Sequence, residues 1–249
     1  MALSVSLIIL AATLITAFIS GIFGMAGGMI LMAVLLSVTS IAQAMIIHGV
    51  IQMVSNGWRA YLLRSHVHWP VIKRYSIGAI AAVGALSLIA LTPDKRTIYF
   101  ILGCLCFLVW IPKHWFHLDI TRPKECYVAG FIVCGLNTIV GVVGPLFELF
   151  LVQTKLSRQE MVATKSATQM IAHTVKVFFW TGPALMALNN QSFTPTLWVL
   201  IVAIPCSMMG TWLGGLVLHR MSDVNFKRWM KWIVTTIGVV FILRALGVM

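Results

Sequence analysis

Charge is what this chain has least of. Among 249 residues only six are Asp or Glu and 18 are Lys or Arg, 10% together, whereas a soluble domain carries about a quarter. A water-facing surface cannot be built from that composition, so no soluble domain is expected. The six carboxylates are Asp94, Asp119, Glu125, Glu148, Glu160 and Asp223. Most fall in connections, and no close pair stands at membrane depth for acid–base work. HExxH, GxSxG and GxxxxGK followed by Ser or Thr are all missing, which removes metalloprotease, serine-hydrolase and ATPase readings. The five cysteines form no CxxC pair and no His/Cys cluster at ligand spacing. They read as small apolar fillers, so no enzyme activity, cofactor or metal is expected. The N-terminal Met-Ala-Leu-Ser-Val lacks a basic leader, and its apolar run passes twenty residues. It reads as a first membrane helix, not a cleaved signal.

What is present is apolar length. Hydrophobic residues make up 60% of the chain. Leu3–Phe23, Val71–Leu91, Thr97–Ile111, Val128–Ile139 and Trp198–Leu218 carry almost no ionisable side chain. A helix crossing a bilayer needs about 20 such residues, so several of these segments span. The net charge of +12 sits in short connections between apolar segments, where membrane topology puts it. Nucleic acid is not the expected partner; the lipid bilayer is. Trp58, Trp69, Trp115 and Trp229 stand near segment ends, as aromatic belts do.

Comparing the chain with itself gives its organisation. A shift of 117 residues lays Gly24 on Gly141, Gly27 on Gly144, Ser40 on Ser157 and Gln52-Met53 on Gln169-Met170, without a gap. Each half then reads as a long apolar helix, a glycine break, a short apolar piece, a polar tip and a second helix. The breaks are Gly21–Gly28 and Gly141–Pro145; the tips are Ser37–Ser40 and Gln153–Ser157. A single glycine cluster would suit close helix packing. Two at matching places point to broken helices around a transporter site. One transmembrane domain over 1–249 is expected, with repeat 1 at about 1–120 and repeat 2 at about 121–249.

Charge placement decides how the halves are oriented. If all eight apolar segments cross, the basic residues divide nine to eight between the two sides, against the positive-inside rule. If the piece after each break dips in and returns, Arg59, Arg64, Lys73, Arg74, Lys113, Arg122, Lys124, Arg220, Lys227, Arg228 and Lys231 share one side. Only Lys95, Arg96, Lys176 and Arg244 face the other, eleven to four. The expected fold is therefore all-α and polytopic. Two inverted repeats, each with a glycine-broken re-entrant helical hairpin, would place both termini and the uncharged connection Leu188–Pro195 outside the cytoplasm.

The helix after each tip carries a polar stripe. His48, Gln52, Ser55, Asn56 and Arg59 fall on one helical face, and adding 117 gives Lys165, Gln169, Ala172, His173 and Lys176. Polar groups within apolar helices face the interior or a wet cavity. His48, Gln52, Asn56, Lys165, Gln169 and His173 are the expected substrate contacts, with the histidines able to carry a coupling proton near neutrality. Arg59 and Lys176 lie nearer helix ends and are expected to snorkel to the interface. Glu148 is the nearest acidic partner for Lys165. A short helix starting after glycine also aims free N–H groups and a positive dipole end into each break. Together these favour an anionic substrate.

At Gly21–Gly28, the polar helix that follows, and the echo at Gly141–Pro145, the chain resembles the sulfite exporter TauE/SafE family, also called the toluene-sulfonate uptake permeases. The likeness covers essentially the whole chain. It implies secondary transport of a sulfur-containing anion such as a sulfonate or sulfite, a cell (inner) membrane location, and substrate near Gly24, Gly27, Gly28, Gly141 and Gly144. The family usually has three glycines together in each half; here only Gly27-Gly28 and Gly144-Pro145 stand there. The expected partners are a small anion and a coupling proton or other ion, with room for a homo-oligomer. The alternative is a passive anion channel, using the same basic stripe without alternating access. A membrane enzyme or assembly factor of sulfur metabolism lacks any catalytic constellation.

Overall fold

The breaks in the apolar pattern become the joints of the structure. The computed structural model describes residues 3–89, 93–112, 115, 117–151, 153–187, 194–218 and 223–249. Ten α-helices and no strand occur among the described residues. They are α1 (Leu3–Phe23), α2 (Met25–Val38), α3 (Ile41–Leu62), α4 (Trp69–Ile89), α5 (Lys95–Phe107), α6 (Pro123–Val140), α7 (Gly144–Leu151), α8 (Arg158–Ala187), α9 (Thr194–Leu218) and α10 (Asp223–Ala245). Single 3-10 turns fill Arg64–His66 and Leu108–Trp110. Most of the uncharged connection from Leu188, together with Lys113, His114, His219 and Arg220, lies outside the described residues.

α1 stops at Gly24, whose φ is 66°, and α6 stops at Gly141, whose φ is 91°. Side chains rarely tolerate positive φ, so glycine is the residue that can turn the chain there. These two glycines are the pair that the 117-residue shift aligns. The same shift relates the starts of α3 and α8. Ser40 Oγ accepts from Gln43 N at 3.3 Å, and Gln43 Oε1 accepts from Ser40 N at 3.5 Å. Ser157 Oγ accepts from Glu160 N at 3.3 Å, and Glu160 Oε2 accepts from Ser157 N at 2.8 Å. Both are reciprocal capping boxes, each satisfying two backbone donors that a helix start leaves unpaired.

Between each break and its cap runs a short helix. α2 has 14 residues and α7 has eight, or about 21 Å and 12 Å at 1.5 Å per residue. Neither reaches across a hydrocarbon core of about 30 Å. Among the described residues three helices are long and apolar enough to cross a membrane: Leu3–Phe23, Trp69–Ile89 and Leu197–Val217. Large apolar residues project outward from them, Ile80 (71% exposed), Leu88 (88%) and Ile201 (69%) among them, as lipid contact requires. The molecule is an all-α, polytopic membrane protein.

Packing partners exchange in pairs. α1 lies along α9 while α6 lies along α4, α3 crosses α8, and α5 crosses α10. The α1–α9 and α4–α6 contacts both close on glycine. A methyl group at Gly21 would meet the Cα of Gly214 at 2.8 Å, and one at Gly78 would meet the Cα of Gly130 at 3.1 Å. Small residues allow membrane helices to approach to backbone contact. α3 and α8 likewise meet at Gly49, where a methyl group would lie 2.6 Å from Val177 Cγ2. That close crossing brings the two polar stripes together.

Candidate functional site

The two stripes meet across a cavity of about 480 Å³ between the broken helices. Its wall takes Gly24, Met25 and Gly28 from the first break and α2, and Gly144 and Glu148 from the second break and α7. α3 supplies His48, Gln52, Asn56 and Arg59; α8 supplies Lys165, Gln169 and His173. Nine of the eleven expected site residues therefore line one space. Gly27 and Gly141 do not. A methyl group on Gly27 would run into Thr16 O, Ser20 N and Ser20 Cβ, and one on Gly141 would run into Met32 and Met45. These two glycines hold helices and methionines close. Gly28 is different: a methyl group there would sit 3.2 Å from Gln52 Nε2 and 3.7 Å from His48 Nε2.

Within the cavity wall Asn56 Nδ2 donates to Gln52 O at 2.9 Å and to Gln52 Oε1 at 3.4 Å. Gln52 is thus oriented by its neighbour one turn along, the amide nitrogen turned towards Gly28. Asn137 Nδ2 reaches His173 Nδ1 at 3.5 Å. His48 and His173 stand with ring centroids 5.5 Å apart.

Lys165 and Glu148 form an ion pair on the wall, with side chains 18% and 36% exposed respectively. The carboxylate raised by the sequence as a neutralising partner does occupy the lysine. Lys165 is therefore not an open cation for substrate in this arrangement, and the positive charge on the wall lies elsewhere.

Two other cations correct the sequence reading. Lys176 does not snorkel. It sits within α8, is fully buried, and donates to Gly141 O at 2.9 Å and to His48 Nδ1 at 2.8 Å. His48 Nε2 lies 2.9 Å from Gly28 O. A carbonyl only accepts, so Nε2 carries the proton and Nδ1 is the acceptor for Lys176. Arg59 does not reach out to an interface either. It is half-buried, lines the cavity, and donates to Ser20 O at 3.4 Å. No carboxylate pairs with Arg59 or Lys176 among the described residues. Arg59 does stand in the last turn of α3, whereas Lys176 lies well inside α8, which continues to Ala187.

Sequence reading missed Ser20, Asn137 and Ser166, all of which line the cavity. A signal for the first two was there. Ser20 plus 117 is Asn137, so the shift that paired the glycines also pairs these polar residues, each near the end of the helix preceding its break.

Comparison with known families follows this geometry. The model of the family described as sulfite exporter TauE/SafE matches residues 9–241. The chain belongs to that family. It is accordingly a multi-pass membrane transporter of the sulfite exporter type, not a member of an enzyme family. No curated protein and no solved structure gave a match.

For a TauE/SafE transporter the cavity has suitable chemistry. It offers amide and imidazole donors, the guanidiniums of Arg59 and Arg158 and the first turn of α2, in a space that can hold a small polyatomic ion. The five cysteines are free thiols, Cys104 exposed on the outer face and Cys106 donating to Met29 Sδ at 3.5 Å. None of them lines the cavity.

Proposed function

We propose that this TauE/SafE chain is a secondary transporter that binds a small sulfur-containing anion, such as a sulfonate or sulfite, in the central cavity and moves it by alternating access. The carrying observation is the convergence of Gln52, Asn56 and Arg59 from α3 with Gln169 and His173 from α8 on one cavity lined by both breaks. The α2 helix begins there with N–H groups that have no partner within the helix, and its dipole adds partial positive charge. Amide donors, a guanidinium without a carboxylate partner and a helix start together favour an oxyanion over a cation. Glu148, the lone carboxylate on the wall among the described residues, is already held by Lys165.

We infer further that the halves, about 1–120 and 121–249, are inverted around this cavity. The positive-φ glycines, the two capping boxes and the paired exchange of packing partners support it. So does the lopsided distribution of basic connections that inversion produces. Alternating access is then a rocking of one half against the other about a fixed site. The cell (inner) membrane, with both termini outside the cytoplasm, is the matching placement.

A thermal-shift screen of the purified protein tests the substrate class, using sulfite, sulfate, thiosulfate, taurine, sulfoacetate and aromatic sulfonates. A ligand that binds only the folded state adds about 2.7 kcal/mol of stability at a hundred times its Kd. A dose-dependent rise with a sulfur anion is expected, and a flat response to all of them would sink the reading. Proteoliposomes then separate transporter from passive channel. Uphill accumulation driven by an ion gradient belongs to alternating access; equilibration alone would assign the channel.

A further inference from the structure

We propose that Glu148 is a built-in occupant of the anion site, held on Lys165 until it is protonated, so that each anion is admitted together with a proton. The inference rests on the anion-transport reading above. It starts from a distinction between two kinds of cation in this protein. Lys176 is fully buried and bound to a carbonyl and an imidazole, which fixes its place in the packing. Lys165 stands on the cavity wall, and both it and its partner keep exposure to the cavity, 18% and 36%. A carboxylate bound to an ammonium in a wet cavity occupies the position a substrate oxyanion would take.

Symmetry singles out the same residue. Subtracting 117 turns Lys165 into His48 and Glu148 into Leu31. His48 satisfies itself on Gly28 O and Lys176, and the first half has no acid at the matching place. The pair is an addition to one hairpin only, and α7, which carries Glu148, is the shorter of the two broken-helix pieces. Glu148 also lines a second cavity of about 560 Å³, shared with Met25 and Met230 and bordered by Arg228 and Lys231 of α10. A neutral or displaced Glu148 therefore has room to leave Lys165 on the side away from the central cavity.

The exchange is balanced. A proton from water binds a Glu148 carboxylate oxygen, the ion pair with Lys165 breaks, and the incoming monoanion takes the freed N–H donors. With a monoanion bound the wall holds the same net charge before and after, and a dianion such as thiosulfate makes it more negative by one. On release the proton leaves with the anion and Glu148 returns to Lys165. The ionisable groups facing this exchange are His48 and Arg59 from α3, Arg158, Lys165 and His173 from α8, and Arg228 and Lys231 from α10.

The test uses the full-length protein and two probes, methanesulfonate and thiosulfate, whose charge does not change between mildly acidic and mildly basic pH. In the wild type, affinity measured by calorimetry or thermal shift should weaken up to about tenfold for each unit rise in pH, the slope of one linked proton. Glu148→Gln keeps the shape but cannot pair with the lysine. It should bind at least about tenfold more tightly than wild type at the basic end, with little pH dependence. If Glu148→Gln keeps the wild-type slope, the histidines carry the proton and the Glu148 switch is overturned while the anion site stands. If neither protein binds either probe at any pH, the anion reading itself fails and the switch with it. Should Glu148→Gln not fold, wild-type proteoliposomes decide. Methanesulfonate or thiosulfate uptake whose proton co-movement survives His173→Gln supports the switch; uptake with no proton movement, or with proton movement lost in that variant, overturns it.

Discussion

Lys176 and His48 are 128 residues apart in sequence, and Nζ of one lies 2.8 Å from Nδ1 of the other. The bond joins α8 to α3, and each residue also holds a backbone carbonyl of a glycine segment, Gly141 O for Lys176 and Gly28 O for His48. A continuous chain of hydrogen bonds thus links one broken helix to the other through the helix crossing. A lysine buried without a carboxylate is costly in an apolar interior, and its retention marks a structural commitment at the centre of the molecule.

Replacing Lys176 with Met should therefore destabilise the fold. The thioether approximates the lysine stem in volume but leaves His48 Nδ1 and Gly141 O unpartnered, at about 1–3 kcal/mol for each. Thermal unfolding of the detergent-purified variant is expected to start well below that of wild type. A variant melting at the wild-type temperature would show that the chain of bonds carries no stability.

On the proposed function, Arg59 serves ligand contact more than folding. Its bond to Ser20 O is long, 3.4 Å, while its side chain lines the cavity. Charge-assisted bonds contribute about 1.5–3 kcal/mol, so Arg59→Gln should weaken binding of the best sulfur anion by on the order of 10- to 100-fold. The melting temperature without ligand should barely move. Unchanged affinity in a folded Arg59→Gln protein would remove the guanidinium from the site.

How much of this was legible in the sequence follows from which interactions are periodic. The breaks were, because glycine at positive φ is a local requirement and recurs at Gly24 and Gly141. The stripe His48, Gln52 and Asn56 was, because helical spacing alone puts these residues on one face. The depth of Lys176 was not. It depends on α8 running to Ala187 and on Gly49 letting α3 approach, neither of which hydropathy records. Nor could spacing separate Gly27 from Gly28. Adjacent residues on a helix point about 100° apart, so one faces Thr16 and Ser20 and the other faces Gln52.

The phenol of Tyr75 offers a test of packing away from the cavity. Its ring is fully buried beside Phe147, centroids 5.9 Å apart, and its hydroxyl has no hydrogen-bond partner among the described residues. An unpaired buried hydroxyl costs about 1–3 kcal/mol on protein scales. Tyr75→Phe keeps the ring and removes the hydroxyl, so the melting temperature should stay level or rise. A marked fall would mean that the hydroxyl makes an unseen bond, for instance to an ordered water.

The neighbouring glycines of α2 provide the sharpest separation of fold from function. Alanine at Gly27 would press its methyl group into the backbone of α1 at Thr16 and Ser20, and backbone cannot yield without moving the helix. Gly27→Ala should assemble poorly, with low yield and early unfolding. Alanine at Gly28 meets only the end of Gln52, at 3.2 Å, and His48, at 3.7 Å, both able to shift by tenths of an ångström. Gly28→Ala should purify normally, yet its methyl group enters the cavity between the α2 backbone and Gln52, where an anion would lie. The expected result is a normal melting curve without ligand and a lost shift with it. If Gly28→Ala binds as wild type does, the anion lies elsewhere in the cavity, towards Gly144 and His173. If Gly27→Ala folds and transports normally, the α1–α2 contact is looser than its geometry states.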